Sequence, residues 1–145
     1  MYRLTERPDM VLRVEDGTQI PAGHRWWDEY QAWLAEGNTP EPVAAESARQ
    51  VQVRLTAALN NHLNEVAGQR RYDDRFTCSL RAGYPGPFQA EGQAFAAWMD
   101  ECNMVAYQIM ADVKKGLRPI PTESELIAAL PLIAWPASPV PKGAQ

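Results

Sequence analysis

The chain has 145 residues, 46% hydrophobic and 22% charged, which suits one ordinary domain able to bury a core without a disulfide or structural metal. Its 14 basic and 18 acidic residues give a net charge of -4, which weighs against a general nucleic-acid binder and a polybasic membrane binder. Arg3, Glu6, Arg7 and Asp9 break any apolar run after Met1, and no later run nears the ~20 residues of a membrane span, so a soluble cytoplasmic chain is expected.

Residues 2–20 read as two or three short strands. Tyr2-Arg3-Leu4 alternates, Met10 to Val14 is rich in β-formers, and Asp16-Gly17 suits a tight hairpin. So small a sheet needs a helix or a partner chain against it. Trp26, Trp27, Tyr30, Trp33 and Leu34 then fall at helical spacing, with Gly37 as stop and Pro40 beyond it. Pro40-Glu41-Pro42 reads as an extended linker.

A second helix is expected over residues 43–68, its stripe formed by Ala48, Val51, Leu55, Leu59, His62, Leu63 and Val66. Residues 72–87 read as irregular, with Phe76 and Leu80 as anchors. The longest helix is expected over 88–116, with Phe95, Trp98, Cys102, Val105, Ile109 and Val113 inward. Thr122 and Glu125 form a capping-box pattern for a short helix ending at Pro131. Pro131, Pro136, Pro139 and Pro141 mark an extended, partly disordered tail.

The reading is therefore α+β, mainly α. A β-hairpin or meander with an aromatic helix occupies 1–42, a helical hairpin with a short third helix occupies 43–130, and a proline-rich tail occupies 131–145.

Catalytic signals are weak. His24 and His62 have no second ligand at metal spacing, and Cys78 and Cys102 have no CxxC. Asp100-Glu101 are neighbours that do not face each other on a helix, and Asp73-Asp74 suit a turn or cap. Gly83-Tyr84-Pro85-Gly86-Pro87 lacks the N–H groups a phosphate loop needs. No metal, no cofactor and no catalytic residue is assigned. The aromatic group Trp26, Trp27, Tyr30 and Trp33 stands out: it either packs on the local hairpin or anchors a protein partner.

Several segments resemble a small module of tailed-bacteriophage tail-fibre and tail-fibre-assembly-associated proteins. They are Tyr2-Arg3-Leu4-Thr5, Val14-Glu15-Asp16-Gly17, Ile20-Pro21 and, above all, the run from Glu29-Tyr30-Gln31-Ala32-Trp33 to Pro40-Glu41-Pro42. The stretches 88–95 and 116–127, with Trp98, are similar to a segment found downstream of that module. Residues 23–27 depart from its pattern, with His24, Trp26 and Trp27 where polar residues are common.

The resemblance implies a non-catalytic phage tail protein: a tail or baseplate component, or a tail-fibre assembly chaperone. It would sit in the host cytoplasm during assembly, or in the virion tail, with phage tail or tail-fibre proteins as partners. The tryptophan helix, open strand edges and the proline tail would serve as docking elements. A homo-oligomer is left open by the long stripe at 95–113; nucleic acid and membrane are not expected partners. The alternatives are a glycan-binding host-recognition module at a fibre tip and, more remotely, a small enzyme with a Cys/His or carboxylate site.

Overall fold

The computed structural model describes all 145 residues. Five α-helices and one small antiparallel sheet make the chain α+β and mainly α. It divides into two compact units, residues 1–47 and 48–145.

In the first unit, β1 (Tyr2–Leu4), β2 (Met10–Arg13) and β3 (Thr18–Pro21) form a meander in the order β1-β2-β3. The register pairs Leu4 with Val11 and Val11 with Ile20. The loop after β2 is closed by Gly17 N–H donating to the Arg13 carbonyl at 2.9 Å. Gly17 has φ +69°, a conformation that costs glycine nothing sterically. Asp16 accepts from the Arg13 guanidinium and from Thr18 N–H, and these bonds hold its carboxyl well below the usual carboxylate range. Helix α1 (Arg25–Ala35) is capped by His24, whose Nδ1 accepts from Trp26 N–H at 3.2 Å. It ends with Gly37 at φ +88°.

The β1 edge of this sheet is covered by the chain itself. Glu41 lies alongside β1 as a parallel bridge: its N–H donates to the Tyr2 carbonyl and its carbonyl accepts from Leu4 N–H, both at 2.9 Å. Arg3 Nε adds a bond to the Glu41 carboxylate at 2.7 Å. The other edge strand ends on Pro21, which has no N–H to offer. The expectation of open strand edges is narrowed: the chain's own linker covers the β1 edge, and β3 remains an edge strand.

In the second unit the first helix, α2 (Ala48–Gly68), starts five residues later than periodicity suggested. Glu41 is bound to the sheet, and Ser47-Ala48-Arg49-Gln50 is the first S-x-x-Q start pattern after it. Residues 72–87 are not irregular throughout. Asp74 and Thr77 exchange side-chain and backbone hydrogen bonds in a capping box that starts α3 (Arg75–Leu80). Phe76 and Leu80, expected as anchors, are 64% and 74% exposed; Cys78 is the buried residue of α3. A 3-10 turn, Arg81–Gly83, leads to α4 (Gln89–Lys114), and α5 (Glu123–Ala129) follows with Thr122 Oγ1 accepting from Glu125 N–H.

The core joins Leu59, Leu63, Val66 and Ala67 of α2 with Cys78, with Phe95, Trp98, Cys102 and Ile109 of α4, and with Leu126 and Leu130. Gly92 makes the close approach possible: a Cβ there would lie 2.4 Å from the Ala82 nitrogen. Residues 131–141 carry no helix or strand, but they are not a loose tail. Ile133 and Trp135 pack on the core, so this segment belongs to the second unit. No helix is long and apolar enough to cross a membrane.

Candidate functional site

The four aromatic residues singled out from the sequence come together on one side of the small sheet. Tyr30 is buried with Tyr2, Val11 and Ile20, while Trp26, Trp27, Trp33 and Leu34 pack round them half-buried. Tyr30 sits edge-on to Tyr2 at 5.1 Å and to Trp27 at 5.2 Å between ring centroids. Trp33 meets Tyr2 edge-on at 5.2 Å and stacks on Tyr30 at 6.4 Å. These are the offset and edge geometries that aromatic quadrupoles favour.

Trp26 differs from the others. Its ring neighbours are His24 at 4.9 Å and two guanidinium groups, Arg13 at 4.6 Å and Arg25 at 5.2 Å from the centroid. Tyr30 is therefore a core residue, Trp27 and Trp33 are core residues with an outer face, and Trp26 is a rim residue held between cations.

The second unit offers a groove of about 780 Å³ between α2 and α4. Val51 and Leu55 line one side, Ile109, Met110 and Val113 the other, and Leu126 contributes from α5. Its character is apolar, with Arg49 and Lys114 as the charged members of the lining. An exposed apolar face, Phe76, Leu80 and Tyr84, lies on α3 and the turn after it.

Cys78 and Cys102 are fully buried, and burial pushes their thiols up to about 12 and about 11, away from thiolate character. His62 packs on Trp98 at 5.9 Å as a half-buried boundary histidine. Asp74 is the α3 cap, and hydrogen bonds from Thr77 hold its carboxyl below its ordinary value. No three His, Cys, Asp or Glu side chains converge to hold a metal ion.

The ionisable group that sequence reasoning missed is Glu91, 2% exposed. Its Oε1 accepts from Arg70 Nη1 at 2.9 Å and its Oε2 from the Tyr72 hydroxyl at 2.8 Å. Burial, then the bond to Glu91, raises the Tyr72 phenol above its usual range. Glu91 lies four residues before Phe95 and seven before Trp98, on the apolar stripe, and that register was the available signal.

No protein-family model matches the chain, and no curated protein or solved structure shows significant similarity to it.

Proposed function

We propose that the protein is a non-catalytic bacteriophage tail protein, a tail or baseplate component or a tail-fibre assembly chaperone, acting through protein-protein contact. Its partner surface is the outer side of Trp26, Trp27 and Trp33, with Tyr30 as the buried support. The observation that carries this reading is that these rings are fixed by ring contacts yet only half covered. An aromatic side chain already held in place loses little freedom when a partner covers the rest of it, which is what an interface anchor requires.

The tail assignment is supported by the resemblance over residues 29–42. That stretch contains most of α1, the Gly37 stop and the Glu41 bridge to β1, so it specifies one folded element rather than a scattered pattern. The protein would act in the host cytoplasm during assembly and, as a structural component, in the virion tail.

The test is Trp26→Ala in an infecting phage, with mass spectrometry of purified virions and a count of fibre-bearing particles. Loss of incorporation or of mature fibres is expected, with the near-ultraviolet circular dichroism of the remaining aromatic cluster retained. Normal particles carrying the variant would sink the assignment. Glycan binding by the purified protein, abolished by the same substitution, would instead place it at a fibre tip in host recognition.

A further inference from the structure

The apolar groove between α2 and α4 has a polarity along its length. Arg70 meets Glu91 and His62 meets Trp98, so numbers rise on α2 as they fall on α4 and the two helices run antiparallel. On that register Arg49 comes level with about position 112, which puts Arg49 and Lys114 at the same end of the groove. Leu59 and Leu126 form its buried floor, and Leu55 and Met110 are half-buried walls. Asn60 and Asn103 stand at the far end with neutral amides.

The charge of the groove runs against that of the chain. The protein carries -4 overall, yet no Asp or Glu lines the groove and both of its charged members are cations. Arg3, Arg13 and Arg70 are each matched to a carboxylate, at Glu41, Asp16 and Glu91. Arg49 and Lys114 are exposed and make no such pair. Asp112, two residues before Lys114, accepts instead from Gln108 Nε2 at 2.8 Å.

Size selects the occupant. Residues 103–114 of α4 span about 16 Å at 1.5 Å per residue, the length of an extended alkyl chain of about 12 carbons. A helix about 10 Å across and equally long displaces roughly 1,250 Å³, more than the about 780 Å³ of the groove. An extended peptide would set its backbone N–H and C=O groups against apolar walls that cannot pair with them. One alkyl chain fits the length and needs no polar partner along it.

We infer that this groove binds a single-chain anionic amphiphile of the fatty-acid class, taken up as a free monomer. Its carboxylate sits between Arg49 and Lys114, and its chain lies along Leu55, Met110 and Leu126 toward Asn60 and Asn103. The chain supplies most of the affinity, and the charge-assisted head contact fixes the direction. The site lies wholly in the second unit and is independent of what the tryptophan face binds.

Dodecanoate below its micellar concentration is titrated into the full-length protein by calorimetry, with dodecyltrimethylammonium as the cation of equal chain length. One dodecanoate per chain is expected, with the cation bound at least about tenfold more weakly. Arg49→Gln/Lys114→Gln changes two exposed side chains and should keep the fold; it is expected to weaken dodecanoate about tenfold and to remove the preference for the anion. Ala106→Phe sets a ring into the groove and should abolish binding. Methyl NMR of the wild type, with shifts confined to Leu55, Met110 and Val113, locates the chain without a substitution. No binding at roughly millimolar dodecanoate overturns the inference. So does equal binding of anion and cation, affinity unchanged in the double charge variant, or uptake of many molecules per chain. Binding to anionic phospholipid vesicles in place of monomeric dodecanoate overturns it as well.

Discussion

Arg70 and Glu91 form an ion pair in which the carboxylate is almost wholly shielded from water, its side chain 3% exposed against 21% for the arginine. The pair links the turn after α2 to the first turn of α4. Arg70 donates from its other terminal nitrogen to the Pro136 carbonyl and lays its guanidinium over Trp135. One arginine thus joins both long helices to the C-terminal segment.

Removing Arg70 leaves the buried Glu91 carboxylate with the Tyr72 hydroxyl alone, whereas removing Glu91 leaves a partly exposed guanidinium that keeps its Pro136 contact. Arg70→Ala is expected to cost about 3–5 kcal/mol in urea unfolding, and Glu91→Ala less, both above the 0–1 kcal/mol of an exposed pair. The double variant Arg70→Met/Glu91→Leu is expected to cost much less than the sum of the single losses, since the desolvated charges go together. Single losses under about 1 kcal/mol would mean that water reaches the pair.

Gly92 and Gly68 give a contrast that backbone geometry alone decides. At Gly92 an added methyl meets the Ala82 nitrogen at 2.4 Å and the Arg81 carbonyl carbon at 2.7 Å, atoms that cannot move aside cheaply. Gly92→Ala is expected to destabilise by at least ~1–3 kcal/mol by overpacking. At Gly68, the last residue of α2, nothing lies within 4 Å of the added methyl. Gly68→Ala is expected to stabilise by up to about 1 kcal/mol through lower unfolded-state entropy. Calorimetry of the two proteins should move Tm in opposite directions.

The buried thiols predict alkaline instability. Cys78 and Cys102 rise to about 12 and about 11 in the folded protein from an unfolded value of 9.0. A raised pKa contributes stability that is fully present below the unfolded value and lost as pH rises through the folded one. The loss therefore begins near pH 9 and runs to pH 11 and 12, with a limiting slope of about 1.4 kcal/mol per pH unit for each thiol. Urea midpoints measured between pH 8 and 10.5 should fall more steeply for the wild type than for Cys78→Ala/Cys102→Ala. The double variant starts lower because it creates small cavities, so the slope and not the intercept decides.

The elements with a strong local period were legible in the sequence: the meander, α1 with its Gly37 stop, and the α4 stripe through Phe95, Trp98, Cys102 and Ile109. What escaped was set by partners distant in sequence. Glu91 shares the register of the α4 stripe, but what satisfies its charge, Arg70 and Tyr72, lies 21 and 19 residues away. Trp135 stands in a proline-rich tail that composition marks as loose, yet Phe95, 40 positions earlier, gives it a floor. The start of α3 was a local signal, Asp74 to Thr77, that the turn-forming residues around it obscured. At the candidate site the sequence brought the four aromatic residues together, but only the fold separates Tyr30 in the core from Trp26 on its rim.

That separation fixes which substitution reports on binding and which on folding. Tyr30 is 6% exposed and touches three other rings, so Tyr30→Ala removes the centre of a cluster inside a unit of only 47 residues. A loss of about 3–5 kcal/mol is comparable to the whole stability of so small a body, and the first unit is expected to unfold. Four of the five α-helices lie in the second unit, so the far-ultraviolet signal should largely survive while the near-ultraviolet signal loses the share due to the first unit's rings and keeps that of Trp98 and Trp135. Trp26→Ala removes a half-buried ring flanked by His24, Arg13 and Arg25 and should cost less, about 1–2 kcal/mol. Thermal melts followed at both wavelengths separate the two cases. If Trp26→Ala lowers the near-ultraviolet signal as far as Tyr30→Ala does, the ring is part of the core and a different residue must probe the partner surface.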